Sequence, residues 1–210
     1  MIRVLLVDDH AVVRTGFRLL LQSHADIDVV GEADSGEAAC QRYAELAPDV
    51  VVMDIAMPGM GGLEALRRIR ARDREARVLA LSAHDDPMHA RRSLQEGALG
   101  FLSKRGAPEA LLEAITAVAA GRRYLDAALA QKLALAAFEG TKSPVERLSE
   151  REFEVFMRLA RGATVQRIAQ DLKLSASTVG THLYNIKQKL GVDNQSELTL
   201  IAIRHGLIEA

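Results

Sequence analysis

Three acids, a hydroxyl and a lysine carry the chemistry legible in this chain: Asp8 and Asp9, Asp54, Ser82 and Lys104. Each stands where a short apolar run stops. Ile2 to Val7 runs into Asp8-Asp9-His10, Val50 to Met53 into Asp54, Val78 to Leu81 into Ser82, and Gly100 to Leu102 into Ser103-Lys104. Such runs read as strands buried on both faces, and open α/β sheets bind ligands beyond the C-terminal ends of their strands. With the first and third strands as neighbours, three carboxylates converge. Like charges in a partly dry cleft raise one another's pKa, and a divalent cation removes that cost. Mg²⁺ wants hard oxygen ligands and keeps several waters, so two or three carboxylates plus a backbone carbonyl beyond Asp54 make a plausible half-shell. Mg²⁺ on one side and the Lys104 ammonium on the other would flank Asp54, an arrangement suited to the spread charge of a phosphoryl group. Ser82 would donate a hydrogen bond to one phosphoryl oxygen, and Asp54 would be the nucleophile that forms an acyl phosphate. Taken singly, Lys104 reads as a surface lysine, Ser82 and Asp54 as turn residues and Asp8 as a helix cap. Their joint placement at strand ends outweighs those readings.

The elements that must position these groups alternate through residues 1 to 120. After the first strand, Ala11 to Ser23 has apolar residues at helical spacing. Val29 to Ala33 is a strand, Gly36 to Leu46 a helix, and Val50 to Met53 the third strand. Leu63 to Arg72, Pro87 to Glu96 and Pro108 to Ala120 are helices that follow the third, fourth and fifth strands. Five βα units in that order predict a parallel sheet with helices on both faces.

Composition bounds the rest. Two hundred and ten residues, 49% of them apolar, suffice for one large or two small cores. The formal charge of −1 excludes a protein that coats nucleic acid over its whole surface. It hides an asymmetry: residues 1 to 120 carry 14 Lys plus Arg against 18 Asp plus Glu, a net of −4, and residues 121 to 210 carry 13 against 10, a net of +3. A single cysteine, Cys40, allows neither an internal disulfide nor a cysteine-built structural zinc site. With no leading or spanning apolar segment, the expected location is the cytoplasm, with no membrane contact.

Residues 121 to 145 read as a connector: an Ala- and Leu-rich helix from Asp126 to Phe138, then a hinge over Glu139-Gly140-Thr141-Lys142-Ser143-Pro144. The pattern leaves open whether that helix is a spacer or packs on either domain. Residues 146 to 210 show four helix patterns and no strand. Ser149 with Glu152 fits a capping box, Val165 to Leu172 is short, and a three-residue turn leads into the helix that ends near Leu190. Asn194 caps a last helix to His205. Two helices joined by so short a turn are the helix-turn-helix arrangement. On a helical wheel of Ser177 to Leu190, Val179, Leu183, Ile186 and Leu190 form a buried stripe, and Gly180, Thr181, Tyr184, Asn185 and Gln188 lie opposite, with Lys187 and Lys189 to the sides. Such a face suits a major groove, its polar groups on base edges and its lysines on phosphates.

Asp8-Asp9, the run from Asp54 to Pro58, Ser82-Ala83 and Phe101-Leu102-Ser103-Lys104 resemble a response-regulator receiver domain. That resemblance implies a flavodoxin-like fold, a five-stranded parallel sheet of order 2-1-3-4-5, and a phosphoryl group received from a sensor histidine kinase or phosphotransfer domain. It also implies Asp54 as phosphoacceptor, Mg²⁺ on Asp9, Asp54 and the Ala56 carbonyl with Asp8 direct or through water, and Ser82 and Phe101 as switch residues. Gly61 departs from the acid many receivers carry there. Leu148-Ser149-Glu150-Arg151-Glu152, Thr178-Val179, Thr181-His182, Lys189-Leu190-Gly191-Val192 and His205-Gly206-Leu207-Ile208 resemble the LuxR-type DNA-binding domain. The whole chain is thus similar to the NarL/FixJ class, and within it to the GacA/UvrY group through Met57-Pro58-Gly59-Met60-Gly61-Gly62-Leu63-Glu64-Ala65. Gly180 stands where relatives commonly have Lys or Asn, and Gly inside a helix costs about 1 kcal/mol against Ala.

The expected function is a DNA-binding transcription regulator controlled by phosphorylation of Asp54. Its DNA contacts fall on Thr178, Gly180, Thr181, Tyr184, Asn185, Lys187, Gln188 and Lys189. It is expected to act as a homodimer when phosphorylated or DNA-bound, through the face of helix 87–96, strand 100–102 and helix 108–120 in the receivers and the Asn194 to His205 helix on DNA. Two rival readings are a Mg²⁺-dependent phosphate hydrolase and a phosphorylation-independent interaction module.

Overall fold

The structure, a computed structural model, describes residues 1–83, 87–138, 144–205 and 207–208. The chain divides into two compact units, Met1–Glu139 and Gly140–Ala210.

In the first unit the strands are β1 (Ile2–Val7), β2 (Ile27–Ala33), β3 (Val50–Asp54), β4 (Val78–Ser82), β5 (Gly100–Ser103) and β6 (Tyr124–Leu125). Between them lie α1 (Ala11–Gln22), α2 (Gly36–Leu46), α3 (Gly62–Arg72), α4 (Pro87–Gln95) and α5 (Pro108–Ala119), with α6 (Ala127–Phe138) after β6. The sheet is parallel, in the order β2-β1-β3-β4-β5-β6. The pleat sends alternate residues to opposite cores. Leu5, Val7, Val51, Met53, Val78, Ala80 and Phe101 pack with α2, α3, α4 and Leu129 of α6, whereas Val4, Leu6, Val50, Val52, Leu79, Leu81 and Leu102 pack with Leu21 of α1 and Leu111, Ile115 and Val118 of α5.

The expectation of five strands needs one correction. Tyr124–Leu125 add a sixth, pairing Gly100↔Tyr124 and Phe101↔Leu125, with the Tyr124 N–H donating to the Leu99 carbonyl at 3.1 Å. Two residues are too short for periodicity to register. The connector helix that follows is no free spacer: Leu129, 4% exposed, enters the core beside Phe101, and Leu133 packs against the same cluster. Of the expected hinge over 139–144, residues 139–143 lie outside the described residues, and Pro144 opens a 3₁₀ turn.

The second unit is helical. A 3₁₀ turn, Pro144–Arg147, precedes α7 (Glu150–Ala160), α8 (Val165–Asp171), α9 (Ala176–Leu190) and α10 (Gln195–Arg204). Each helix opens on a side chain that accepts from its own first turn, Ser149, Thr164, Ser175 and Asn194 in order, and Ser149 with Glu152 makes the full capping box. Phe153, Phe156, Leu159, Ile168, Val179, Ile186, Leu198 and Ala202 form the buried centre.

Candidate functional site

Register explains why the acids meet. Val7 pairs with Met53 across β1 and β3, so the next residues, Asp8 and Asp54, emerge side by side. Ser82 pairs with Ser103 across β4 and β5, and the Lys104 N–H donates to the Ser82 carbonyl at 2.7 Å, which starts the Lys104 side chain from the neighbouring strand tip. Its ammonium then lies 2.6 Å from Asp8 Oδ2 and 2.7 Å from Asp54 Oδ2. The other Asp54 oxygen, Oδ1, accepts the Ala56 N–H at 2.9 Å, so both oxygens are held.

Glycine makes the loop beyond Asp54 possible. A Cβ on Gly62 would stand 1.9 Å from the Asp54 carbonyl oxygen, inside any real contact distance. Gly61, which precedes α3, has φ +73°, a left-handed conformation that L side chains rarely adopt. An acid would be strained in this conformation, so the glycine and the shape of the loop go together.

The pocket is too anionic for its cations. Asp8, Asp54 and Ser82 are 1–2% exposed. Burial pushes the Asp54 carboxyl upward and Asp8 adds to it, while Lys104 and the Ala56 N–H pull the other way without cancelling the rise. Burial also pulls the Lys104 ammonium down, yet Asp54 and Asp8 together outweigh it and leave it above the ordinary lysine value. The two shifts oppose each other if the pair is taken alone, because a neutral acid would not raise its lysine. They are reconciled by one cation serving two acids, with Asp9 beside them. Asp8 Oδ2 is buried and shares the Lys104 ammonium with Asp54, and Asp9 Oδ1 lies 3.0 Å from His10 Nδ1. The donor set is therefore hard, anionic and short of positive charge, which fits a divalent cation; Asp8, Asp9, His10 and Asp54 each place a ligand atom within 4.8 Å of one another. His10 was missed as a participant by reading the acids alone; its adjacency to Asp9 was the available signal. Phe101 is 0% exposed in β5, a member of the same buried cluster as Leu129.

On α9 the wheel is largely realised. Val179 and Ile186 are 0% exposed, Leu183 and Leu190 half-buried, and Thr178, Thr181, Tyr184 and Gln188 exposed, with Tyr184 at 64%. Gly180 and Asn185 are half-buried, and a Cβ on Gly180 would meet nothing within 4 Å. The lysines make contacts within the unit that the wheel does not show. Lys189 Nζ lies 2.5 Å from Glu152 Oε2 of α7, and Lys187 Nζ donates to the Asp193 carbonyl at 2.6 Å. Glu152 also accepts the Ser149 N–H at 2.7 Å, so one buried carboxylate ties the start of α7 to the end of α9. The sequence shows Glu152 only as a cap; its second partner comes from 37 residues away.

Comparison with known proteins gives this geometry its class. Residues 4–116 match the response regulator receiver domain, and residues 146–202 match the bacterial regulatory proteins of the luxR family. The chain belongs to the response-regulator family: a receiver joined to a LuxR-type domain, the architecture of a phosphorylation-controlled transcription regulator. It is 42% identical to the response regulator GacA of Pseudomonas viridiflava, over 100% of this chain and 99% of that one. It is likewise 42% identical to UvrY of Escherichia coli strain K12, over 100% and 97%. A solved structure of RcsB from Salmonella enterica serovar Typhimurium, bound to promoter rprA with the phosphomimetic BeF3−, superposes with TM-score 0.64 at 27% identity, covering 95% of this chain and 97% of that one. Among the described residues no helix is long and apolar enough to cross a membrane.

Proposed function

We propose that Asp54 accepts a phosphoryl group from a phosphohistidine on a sensor kinase or phosphotransfer partner, and that this controls DNA binding by the second unit. An Asp54 oxygen attacks phosphorus, an O–P bond forms, the N–P bond breaks, and the imidazole keeps the electron pair and takes up a proton. The observation that carries this reading is the Lys104 ammonium at 2.6 and 2.7 Å from two buried carboxylates at adjacent strand tips. Asp54 is the acceptor because both its oxygens are oriented, by Ala56 N–H and by Lys104. Lys104 moves from Asp54 onto a phosphoryl oxygen, and the Ser82 hydroxyl donates to another. Asp9, Asp54 and the Ala56 carbonyl, with Asp8 direct or through water, would hold Mg²⁺, whose charge neutralises the incoming phosphoryl oxygens. Ser82 and Phe101 respond to the new group, since a phosphate biases two conformations only through contacts it makes in one of them.

In the second unit, Thr178, Thr181, Tyr184 and Gln188 form the outward face for base edges, flanked by Gly180 and Asn185. Lys187 can exchange a carbonyl for a phosphate, whereas Lys189 is committed to Glu152. The protein acts in the cytoplasm, as a homodimer on DNA, since one short helix reads few bases.

The test weighs wild type and Asp54→Ala after incubation with Mg²⁺ and acetyl phosphate, and measures promoter-DNA binding by both. One phosphate's mass on wild type alone, with altered DNA binding, is expected. Phosphate on Asp54→Ala, or an unmodified wild type, rejects the reading, and steady release of inorganic phosphate over many turnovers favours the hydrolase.

A further inference from the structure

We infer that His10 is a nitrogen ligand of the cation site formed by Asp8, Asp9 and Asp54, so that the site holds Mn²⁺ more tightly than an all-oxygen pocket would. This rests on reading that acidic cluster as a metal site.

The backbone aims the ring. The His10 N–H donates to Asp8 Oδ1 at 2.9 Å, a tight turn at the end of β1 that folds the imidazole back over the acids. Its Nδ1 lies 3.0 Å from Asp9 Oδ1 and 3.4 Å from Asp8 Oδ1. Neighbouring ligands at about 2.1 Å from one octahedral ion stand about 3.0 Å apart, and opposite ones about 4.2 Å. The four donor atoms of Asp8, Asp9, His10 and Asp54, all within 4.8 Å of one another, span little more than one such shell. Asp8 Oδ2 has to share the Lys104 ammonium with Asp54, and Asp9 Oδ1 faces the His10 ring. A simple surface hydrogen bond from His10 to Asp9 would spend the proton on Nδ1 and leave the imidazole ring 65% exposed beside acids that stay under-neutralised. Ligation uses the lone pair instead.

The choice of atom sets the chemistry. Mg²⁺ binds oxygen and dehydrates reluctantly, so His10 adds little for it. Mn²⁺, and beyond it Co²⁺ and Zn²⁺, accept imidazole with rising affinity in that order or close to it. Position 10 thereby tunes which cytosolic dication accompanies the acids.

The experiment uses the full chain with Mn²⁺ alone and no phosphodonor. Pulsed electron paramagnetic resonance reads ¹⁴N coupling on bound Mn²⁺, and titration with Mg²⁺ as competitor gives the affinity ratio. Wild type is expected to show imidazole nitrogen coupling; His10→Gln is expected to lose it and to lower the Mn²⁺ to Mg²⁺ affinity ratio by about tenfold. Wild-type Mn²⁺ with oxygen ligands only, no Mn²⁺ bound, or coupling that survives in His10→Gln each overturns the assignment. Nitrogen coupling in a protein that takes no phosphate at Asp54 would sink the phosphoacceptor reading and leave this one; a phosphorylated protein without coupling does the reverse.

Discussion

Replacing Lys189 by Met separates two roles for the end of α9. Its ammonium sits 2.5 Å from a Glu152 carboxylate whose side chain is 6% exposed, while the lysine side chain is 40% exposed. Breaking a fully buried pair costs about 3–5 kcal/mol and an exposed one about 0–1. A buried acid with a half-wet partner, and with the Ser149 N–H retained, falls between them at about 1–2 kcal/mol. For a unit of about 70 residues this lowers the melting midpoint by on the order of 5–10 °C. The loss depends on pH with a definite sign. Burial pushes the Glu152 carboxyl up, but Lys189 and Ser149 together pull it below the ordinary 4.5. A depressed carboxyl stabilises above its unfolded value and loses that contribution as pH falls through the folded one. The gap between wild type and Lys189→Met is therefore full at pH 7 and narrows below about pH 4.5. Scanning calorimetry of the full chain from pH 7 to 3 reads this, and DNA binding from low to high salt reads the rest. A phosphate contact would flatten the salt slope by about 0.9 on removal, whereas a clamp leaves the slope unchanged. An unshifted midpoint together with a flattened slope would refute the argument.

Two further substitutions probe the two units. Gly62→Ala forces a Cβ into the Asp54 carbonyl at 1.9 Å and should destabilise the receiver by about 3 kcal/mol, seen as an early first transition and slowed phosphate uptake at Asp54; a wild-type midpoint would mean the loop has slack. Gly180→Lys meets nothing within 4 Å, so it should gain about 1 kcal/mol of helix stability and raise general DNA affinity with a steeper salt slope; loss of all binding would show that the DNA backbone approaches there.

The acid–lysine pocket was legible because parallel strands announce themselves as apolar runs and deliver whatever follows to one rim: Asp8, Asp54, Ser82 and Lys104 each directly end or follow such a run. Helix starts were legible through Ser149, Ser175 and Asn194, whose capping is local. Contacts made at long range were not. Tyr124–Leu125 has no pattern of its own and becomes a strand only because β5 offers a free row of peptide groups. Nothing in Ala127 to Phe138 tells which of its apolar positions is covered until Leu129 is found in the buried cluster that contains Phe101. The wheel correctly put Lys189 at the side of α9, but its partner lies on another helix.

The short pairing of Phe101 with Leu125 has a practical bearing on how the protein is dissected. A receiver fragment cut at Ala120 would strip the outer border from β5 and leave unpaired main-chain amides beside an apolar hollow vacated by Leu129, a template for sticky self-association. Cutting beyond Phe138 keeps the sheet sealed by its own tail.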